Sequence, residues 1–495
     1  MNNSANQEAI YNCFQNEDKN ILINSVAGSG KTTTLMGIVE KCEYRTLFLA
    51  FNKSIQQEIS EKIKDEGFSH AKALTLHSLG LMSVRTYYKP VINNNKKWDI
   101  INIFQKVHKG DLRRMSYKEK MHLIFSLMDM LDVYRIYMPT TFQGLLDSMM
   151  SMNKVVKDEH NKLEFYWNHV KEIYQELTFK ARGEKIEIDF LDMIYIPTKH
   201  PEIEIPVKTY YLLIDECQDL NIVQHRMIDK FLAQGDVKKW VAAGDRNQSI
   251  YGFSGSFSHS FEYFENRDNV QSLTLDICYR SSKLIIEQAN QVYDVMSPFK
   301  EDDGTVDTIT DCSQIKDSSM IICRNTAPIV SLYFKLVGLG KRVYIKGEDI
   351  LGPTVKFLRP FIQSSIDVVT KETIAKIKQV CEKKTDSERI QFFILSENLE
   401  NFSTLVSSLG LKKSDKVRNL MDKIKEIMNK SKEVGSIEMS TIHKAKGLEN
   451  DIVYILNEKL IPSPFATTPE QIKQENNLKY VARTRAKKEL YYLNL

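Results

Sequence analysis

The chain reads as an α/β protein built on two mostly parallel sheets, each interrupted by a mostly helical inserted piece. Three observations predict this. Short apolar runs alternate with helical stretches over residues 7–78 and return over 207–305. A second alternation begins near Asp307 and closes the chain. Between these runs, residues 81–206 and 352–433 keep helical apolar spacing and lose the strand signal. The expected organisation is a first α/β domain over 1–80 and 207–305 with 81–206 inserted. A second follows over 306–351 and 434–495, with a short insertion at 352–433.

Bulk properties agree with several cores. A chain of 495 residues is too long for one. Its 42% hydrophobic and 27% charged residues are those of a soluble globular protein. A net charge of +4 allows a nucleic-acid partner without demanding one. The seven cysteines show neither CxxC nor Cys/His spacing, so neither a disulfide framework nor a zinc site is indicated, and Cys217 and Cys278 read as buried small hydrophobes. A polar start and the lack of a membrane-length apolar run predict no signal peptide and no anchor, hence a cytoplasmic protein with no membrane partner.

The elements follow in order. Ile21-Leu22-Ile23 is a strand and residues 33–42 a helix. Strands are expected at residues 45–51 and 73–76, with a helix between them carrying Ile55, Ile59 and Ile63. Residues 120–131 and 163–177 are helical in spacing. Strands return at 210–214, 240–243 and 273–275, then at 320–323, 343–345, 437–441, 451–455 and 489–493.

Between the first strand and helix stands Ser25-Val26-Ala27-Gly28-Ser29-Gly30-Lys31-Thr32, a phosphate-binding loop in its required strand–loop–helix setting. Its glycines let backbone N–H groups turn toward phosphates, and the helix N-terminus favours negative charge. Lys31 reaches the β/γ oxygens, the Thr32 hydroxyl sits on Mg²⁺, and Thr33 opens the helix. Ser25 stands where Gly is common. The strand before residue 215 ends in Asp215-Glu216, where Asp215 can hold Mg²⁺ and Glu216 can polarise the attacking water. After the next strand, Gln248 can sense the γ-phosphate or hold that water. The rings of Tyr251 and Phe253 are set to stack nucleobases, or else belong to a core.

In this order the motifs resemble the UvrD/Rep/PcrA branch of superfamily 1 helicases. The resemblance covers roughly residues 7–83 and 207–493 and implies two RecA-like domains. Gln7 resembles the family's adenine-reading glutamine. Phe51 and Asn52, in Ala50-Phe51-Asn52-Lys53, and His77, in Thr75-Leu76-His77-Ser78, resemble DNA-contacting motifs. Leu275-Asp276-Ile277-Cys278-Tyr279-Arg280 is similar to the family's Leu-x-x-Asn-Tyr-Arg, implying that Tyr279 stacks on adenine and Arg280 meets the γ-phosphate. The run 437–451 implies Thr441 and His443 toward nucleic acid and Glu449 toward the ribose. Tyr480-Val481-Ala482-Arg483-Thr484-Arg485 implies Arg485 as a second arginine finger, an element able to contribute about 10³–10⁵ in rate.

Departures are Cys278 for Asn, Phe253 for Trp, Ser254 for Arg, Arg483 at an apolar place and Lys444 for a small residue. The second insertion is shorter than in large bacterial members. The chain ends close to the last motif, which leaves no expected room for a fused nuclease or a partner-binding tail.

The resemblance implies an ATP- and Mg²⁺-dependent 3′→5′ translocase or helicase on single-stranded DNA or a tailed duplex, hydrolysing ATP at the interface of the two domains. RNA is not excluded, and a partner protein is possible. The alternative is a non-unwinding ATP switch gating a partner nuclease or polymerase.

Overall fold

A computed structural model of the chain describes residues 3–152, 154, 162–250, 259–346, 357–381, 399, 402–403, 405–407, 409–430, 437–464, 466 and 468–495. The chain divides into two compact units, Met1–Ser25 with Gly30–Leu275, and Val26–Ser29 with Asp276–Leu495.

The first unit holds β1 (Asn20–Ser25), β2 (Thr46–Ala50), β3 (Ala71–Thr75), β4 (Lys89–Ile92), β5 (Lys185–Ile188), β6 (Tyr211–Ile214), β7 (Lys239–Gly244) and β8 (Val270–Leu275). Six of them form one parallel sheet in the order β3-β2-β6-β7-β1-β8. Strand residues alternate between two apolar layers. Ile21, Ile23, Phe48 and Leu213 pack with Ile10, Phe14 and Leu35 on one face. Leu22, Leu47, Leu49, Leu212 and Ile214 pack with Val223, Phe231 and Phe264 on the other. Both faces are thus covered, which is why the strands read as continuous apolar runs. Parallel order also gathers the chain leaving β1, β2, β3, β6 and β7 at one edge, where α/β sheets bind ligands.

The first insertion is mostly helical, with helices Lys96–Val107, Tyr117–Tyr137, Phe142–Ser151 and Leu163–Thr178 around Ile100, Phe104, Leu127, Tyr166 and Val170. It is not strand-free: β4 and β5 form a two-stranded parallel ribbon. The Lys-Ile-Glu-Ile run of β5 alternates exposed and buried residues, a period-2 signal too short to stand out among helices.

An ionic cluster sits in this region. Asp192, fully buried, accepts from Lys96 Nζ at 2.6 Å, Tyr174 OH at 2.7 Å and Arg135 Nη1 at 2.9 Å. Arg135 also donates to Asp189 at 2.7 Å and Asp132 at 2.8 Å. Burial opposes the Asp192 charge, but Arg135 and Lys96 outweigh it and hold the carboxyl below its ordinary range. The cluster ties three helices of the insertion to the helix Asp192–Lys199.

The second unit contains β9 (Ile277–Cys278), β10 (Ser297–Pro298), β11 (Thr305–Ile309), β12 (Met320–Cys323), β13 (Val343–Ile345), β14 (Ile437–Thr441), β15 (Asn450–Leu456) and β16 (Ala486–Leu493). Its sheet is parallel throughout, in the order β11-β16-β15-β12-β14-β13. The described part of its insertion is helical, with Leu358, Ile366, Val369, Leu405, Leu420 and Ile424 in one apolar cluster. Residues 276–305, expected in the first domain, group with the second unit instead. Ser281 and Ser282 hydroxyls donate to the Ala486 and Lys487 carbonyls, Ile286 and Ala289 pack on Tyr480, and β11 pairs with β16. Cys217 and Cys278 are fully buried. Among the described residues no helix is long and apolar enough to cross a membrane.

Removing one partner of a buried ion cluster strands the others. Asp192→Ala should therefore destabilise the full chain by about 3–5 kcal/mol in urea unfolding. Asp132→Ala should cost clearly less, because that side chain is 24% exposed. Equal effects would contradict the assignment.

Candidate nucleotide site and strand-facing residues

The loop after β1 has the backbone that phosphate binding needs. Gly28 and Gly30 take φ of 71° and 77°, the left-handed region open to glycine. Gly30 caps the helix Lys31–Glu40 without a side-chain hydrogen bond, so the first-turn N–H groups are left for a ligand. The Ser29 hydroxyl is buried and has no hydrogen-bond partner among the described residues. A buried orphan hydroxyl inside a glycine-turned cradle fits a phosphate group. Ser25 serves the frame instead: its hydroxyl donates to the Gly244 carbonyl at 2.9 Å, tying β1 to the end of β7.

Lys31 opens the helix. Its Nζ lies 2.5 Å from Glu216 Oε1 and 3.3 Å from Asp215 Oδ1. Burial pushes the ammonium pKa down, but the two carboxylates outweigh burial and hold it well above the ordinary range. Asp215 is shifted up, burial outweighing the pull of Lys31. Glu216 takes φ 51° and ψ 43°. A non-glycine residue held there carries about 1–3 kcal/mol of strain, which clusters at working sites. Thr32 and Thr33 follow in the first helical turn, Thr33 exposed.

Sequence reasoning missed Gln218, which is 1% exposed. Its Nε2 donates to Glu216 Oε2 at 2.5 Å, while its Oε1 accepts from the Asp245 N–H at 3.1 Å. Asp245 in turn accepts from Gln248 Nε2 at 2.7 Å. One polar chain thus runs Glu216–Gln218–Asp245–Gln248, from the end of β6 to the turn after β7. It exists because residue 244 is glycine: a Cβ there would stand 2.3 Å from Gln218 Oε1. The signal was present in sequence, as a glutamine two residues beyond Glu216, but only the fold shows what it touches. Tyr251 and Phe253, just beyond this turn, lie outside the described residues, as does Ser254.

Gln7 is buried. Its Oε1 accepts from the Ser4 N–H at 3.0 Å and its Nε2 donates to Thr34 Oγ1 at 3.1 Å. An amide has two lone pairs and two N–H groups, so this fixed side chain retains one of each. That pair matches the edge of adenine.

Strand-facing expectations meet different surroundings. Asn52 is a helix cap, its side chain accepting from the Ile55 N–H at 2.9 Å. Phe51 beside it is half-buried. The His77 ring stacks on Phe190 at 3.6 Å and 17°. Burial pushes His77 down to about 4, so it is neutral at physiological pH. Phe190, unnoticed in the sequence, is 61% exposed, the kind of open ring face on which a base stacks.

In the second unit, Tyr279 N–H donates to the Gly28 carbonyl at 2.9 Å. Arg280 stands against the same glycine, where an added Cβ would lie 2.5 Å from its Cβ. Both residues thereby adjoin Gly28 within the second unit. Arg280 Nε lies 2.5 Å from Glu449 Oε2, and Lys487 Nζ holds the other carboxylate oxygen at 2.6 Å. Burial raises the Glu449 pKa, but Lys487 and Arg280 outweigh it and hold the carboxyl low. Arg485, 2% exposed, donates to the Val481 and Leu448 carbonyls at 3.0 and 3.1 Å. Arg483, a departure from the family pattern, is a framework residue. It pairs with Glu458 at 2.8 Å and donates to the Gln288 carbonyl at 2.6 Å. Thr441 caps the short helix Ile442–Ala445. His443 is held neutral, pushed down to about 3 by burial with help from Arg324 and Lys446.

Asp245 supplies a pH test. Burial pushes its carboxyl up to about 6, against the hydrogen bonds from Gln248 and Asn247. Protonation below that pH weakens the acceptor that holds Gln248. The free-enzyme profile, kcat/KM for ATP, should therefore fall as pH drops through about 6, and Asp245→Asn should flatten that limb. Stability runs the other way. A raised folded pKa favours the fold below the unfolded value of about 3.9 and loses that contribution as pH rises through the folded one. An acid limb unchanged in Asp245→Asn would contradict this.

Comparison with known proteins follows the same division. Residues 3–269 match the UvrD/REP helicase N-terminal domain, and residues 355–494 the UvrD-like helicase C-terminal domain. The ATP-dependent DNA helicase Rep of Buchnera aphidicola subsp. Baizongia pistaciae is 24% identical over 287 residues, covering 54% of this chain and 40% of that protein. The ATP-dependent DNA helicase PcrA of Staphylococcus aureus is 25% identical over 290 residues, covering 55% of this chain and 37% of that protein. The chain spans about two fifths of the length of these curated relatives. Among solved structures, an Arterivirus nonstructural protein 10 helicase matches with a TM-score of 0.35 and 12% identity, covering 96% of this chain and 59% of that one, a likeness too slight to carry weight. With the N-terminal domain model spanning more than half of its residues, the chain belongs to the UvrD/REP helicase family.

Proposed function

We propose that the chain is an ATP-driven translocase on single-stranded DNA that opens tailed duplexes with 3′→5′ polarity. The observation that supports this best is the polar chain Glu216–Gln218–Asp245–Gln248. It links the carboxylate suited to hydrolysis with Gln248 in the turn after β7, so a water at Glu216 and a γ-phosphate sensor at Gln248 are joined through fixed hydrogen bonds.

In this reading, the backbone of Gly28, Ser29 and Gly30 cradles the phosphates. Lys31 leaves its carboxylate partners for the β/γ oxygens, which frees Glu216 to take a proton from the attacking water. Thr32 and Asp215 would hold Mg²⁺, which would neutralise phosphate charge. Gln7 reads the adenine edge, Tyr279 stacks on its face and Glu449 meets the ribose. Arg280 and Arg485 exchange their present acceptors for the γ-phosphoryl oxygens, where charge develops and a guanidinium binds in bidentate fashion. His77 with Phe190, Phe51, Asn52, Tyr251, Phe253, Thr441 and His443 face the strand, the rings contributing about 1–3 kcal/mol per stacked base.

The test is ATPase activity with and without single-stranded DNA or RNA, alongside displacement from 3′- and 5′-tailed duplexes. DNA should stimulate hydrolysis and only the 3′-tailed duplex should open. Lys31→Ala should lose hydrolysis while still binding the strand. Stimulated hydrolysis without displacement or translocation would replace this reading with an ATP switch gating a partner nuclease or polymerase. Hydrolysis indifferent to DNA and RNA would reject both.

A further inference from the structure

The segment Ser297–Pro298 has no role in the reading above, yet it is built onto the nucleotide-facing residues. β10 lies parallel to β9, with Ser297 opposite Ile277 and Pro298 opposite Cys278. Ser297 N–H donates to the Asp276 carbonyl at 2.9 Å and Phe299 N–H to the Cys278 carbonyl at 3.2 Å. Lys300 Nζ donates to the Arg280 carbonyl at 2.5 Å. Every residue from 276 to 280 except Ile277 and Tyr279 thus has a backbone carbonyl held from this segment, and Tyr279 is held by its ring. The Phe299 ring lies 4.6 Å from the Tyr279 ring at 47°. Phe299 is nevertheless 56% exposed, which is unusual for a phenylalanine whose only work is core packing.

We infer that Phe299 is a positioning residue for base recognition, bracing the Tyr279 ring so that its remaining face meets the purine. This rests on the reading of Tyr279 as the adenine-facing ring. The distance decides the geometry. A base sandwiched between two rings needs about 7 Å, twice the ~3.5 Å contact distance. At 4.6 Å the two rings touch each other and leave the base the other side of Tyr279. Tyr279 is fixed at its backbone by the Gly28 carbonyl and at its ring by Phe299, so the stacking face is set before nucleotide arrives. Preorganisation of this kind lowers the cost of binding the base and leaves phosphate chemistry untouched. Its signature is discrimination between triphosphates by base.

The experiment measures KM and kcat for ATP and for CTP, on the full chain with a saturating DNA oligonucleotide, in Phe299→Ala, Phe299→Leu, Phe299→Tyr and Tyr279→Ala. Phe299→Ala should raise KM for ATP about five- to tenfold, with kcat within about twofold, and narrow the ATP/CTP ratio of KM values. Phe299→Tyr, which keeps the ring, should restore both. Phe299→Leu keeps apolar volume without a flat face and should behave as Phe299→Ala; it decides the matter where the alanine variant does not fold. Equal rises for ATP and CTP, or an unchanged KM in both Phe299→Ala and Phe299→Leu while Tyr279→Ala raises it, would overturn the inference. An unchanged KM in Tyr279→Ala would instead refute the reading of Tyr279 and take the inference with it.

Discussion

Lys31 carries an ammonium that is largely out of water and held between Asp215 and Glu216. Much of the first unit is arranged around that contact. Lys31 follows β1 and the two carboxylates follow β6, yet β7 lies between those strands. The contact has to pass over the end of β7. It does so because β7 ends in Gly244, whose missing side chain leaves space for Gln218, and whose carbonyl is anchored by Ser25. A buried cation facing two carboxylates is stable only with this much pairing. In the proposed reading, triphosphate oxygens would offer Lys31 a competing set of acceptors and so free Glu216 to act as a base.

The second unit has a comparable arrangement. Arg280 and Lys487 share the Glu449 carboxylate, and Arg485 donates to the Val481 and Leu448 carbonyls and the Thr484 hydroxyl. Arg280, Lys487 and Glu449 thus satisfy one another, which keeps partly buried charge paired. Arg483, next to them in sequence, shows the contrast. Its partners Glu458, Gln288 and Tyr492 are framework residues, and its charge is consumed in holding the helix Pro469–Arg483 in place.

The α/β class was legible because parallel strands covered on both faces give apolar runs such as Leu212-Leu213-Ile214, and the phosphate loop was legible because its glycines must adopt positive φ. Less visible were features that depend on distant partners. The β4–β5 ribbon joins residues nearly a hundred apart, and neither strand exceeds four residues. Asp189 and Asp192 give no local signal in the sequence, since nothing near them says that Lys96 and Arg135 will meet them. Phe190 gave no signal either, because exposure is a property of the fold. Residues 276–305, expected in the first domain, group with the second unit, where serine hydroxyls bond to β16 carbonyls.

In the proposed mechanism Glu216 performs the hydrolytic proton transfer while other groups bind the nucleotide. Glu216→Gln keeps the length of the side chain and removes its basicity. Measuring ATP binding by equilibrium titration and hydrolysis by single turnover, on this variant with DNA present, separates the two roles. ATP affinity should stay within a few-fold of the parent while hydrolysis falls by about 10²–10⁴. Hydrolysis within tenfold of the parent at unchanged affinity would contradict it.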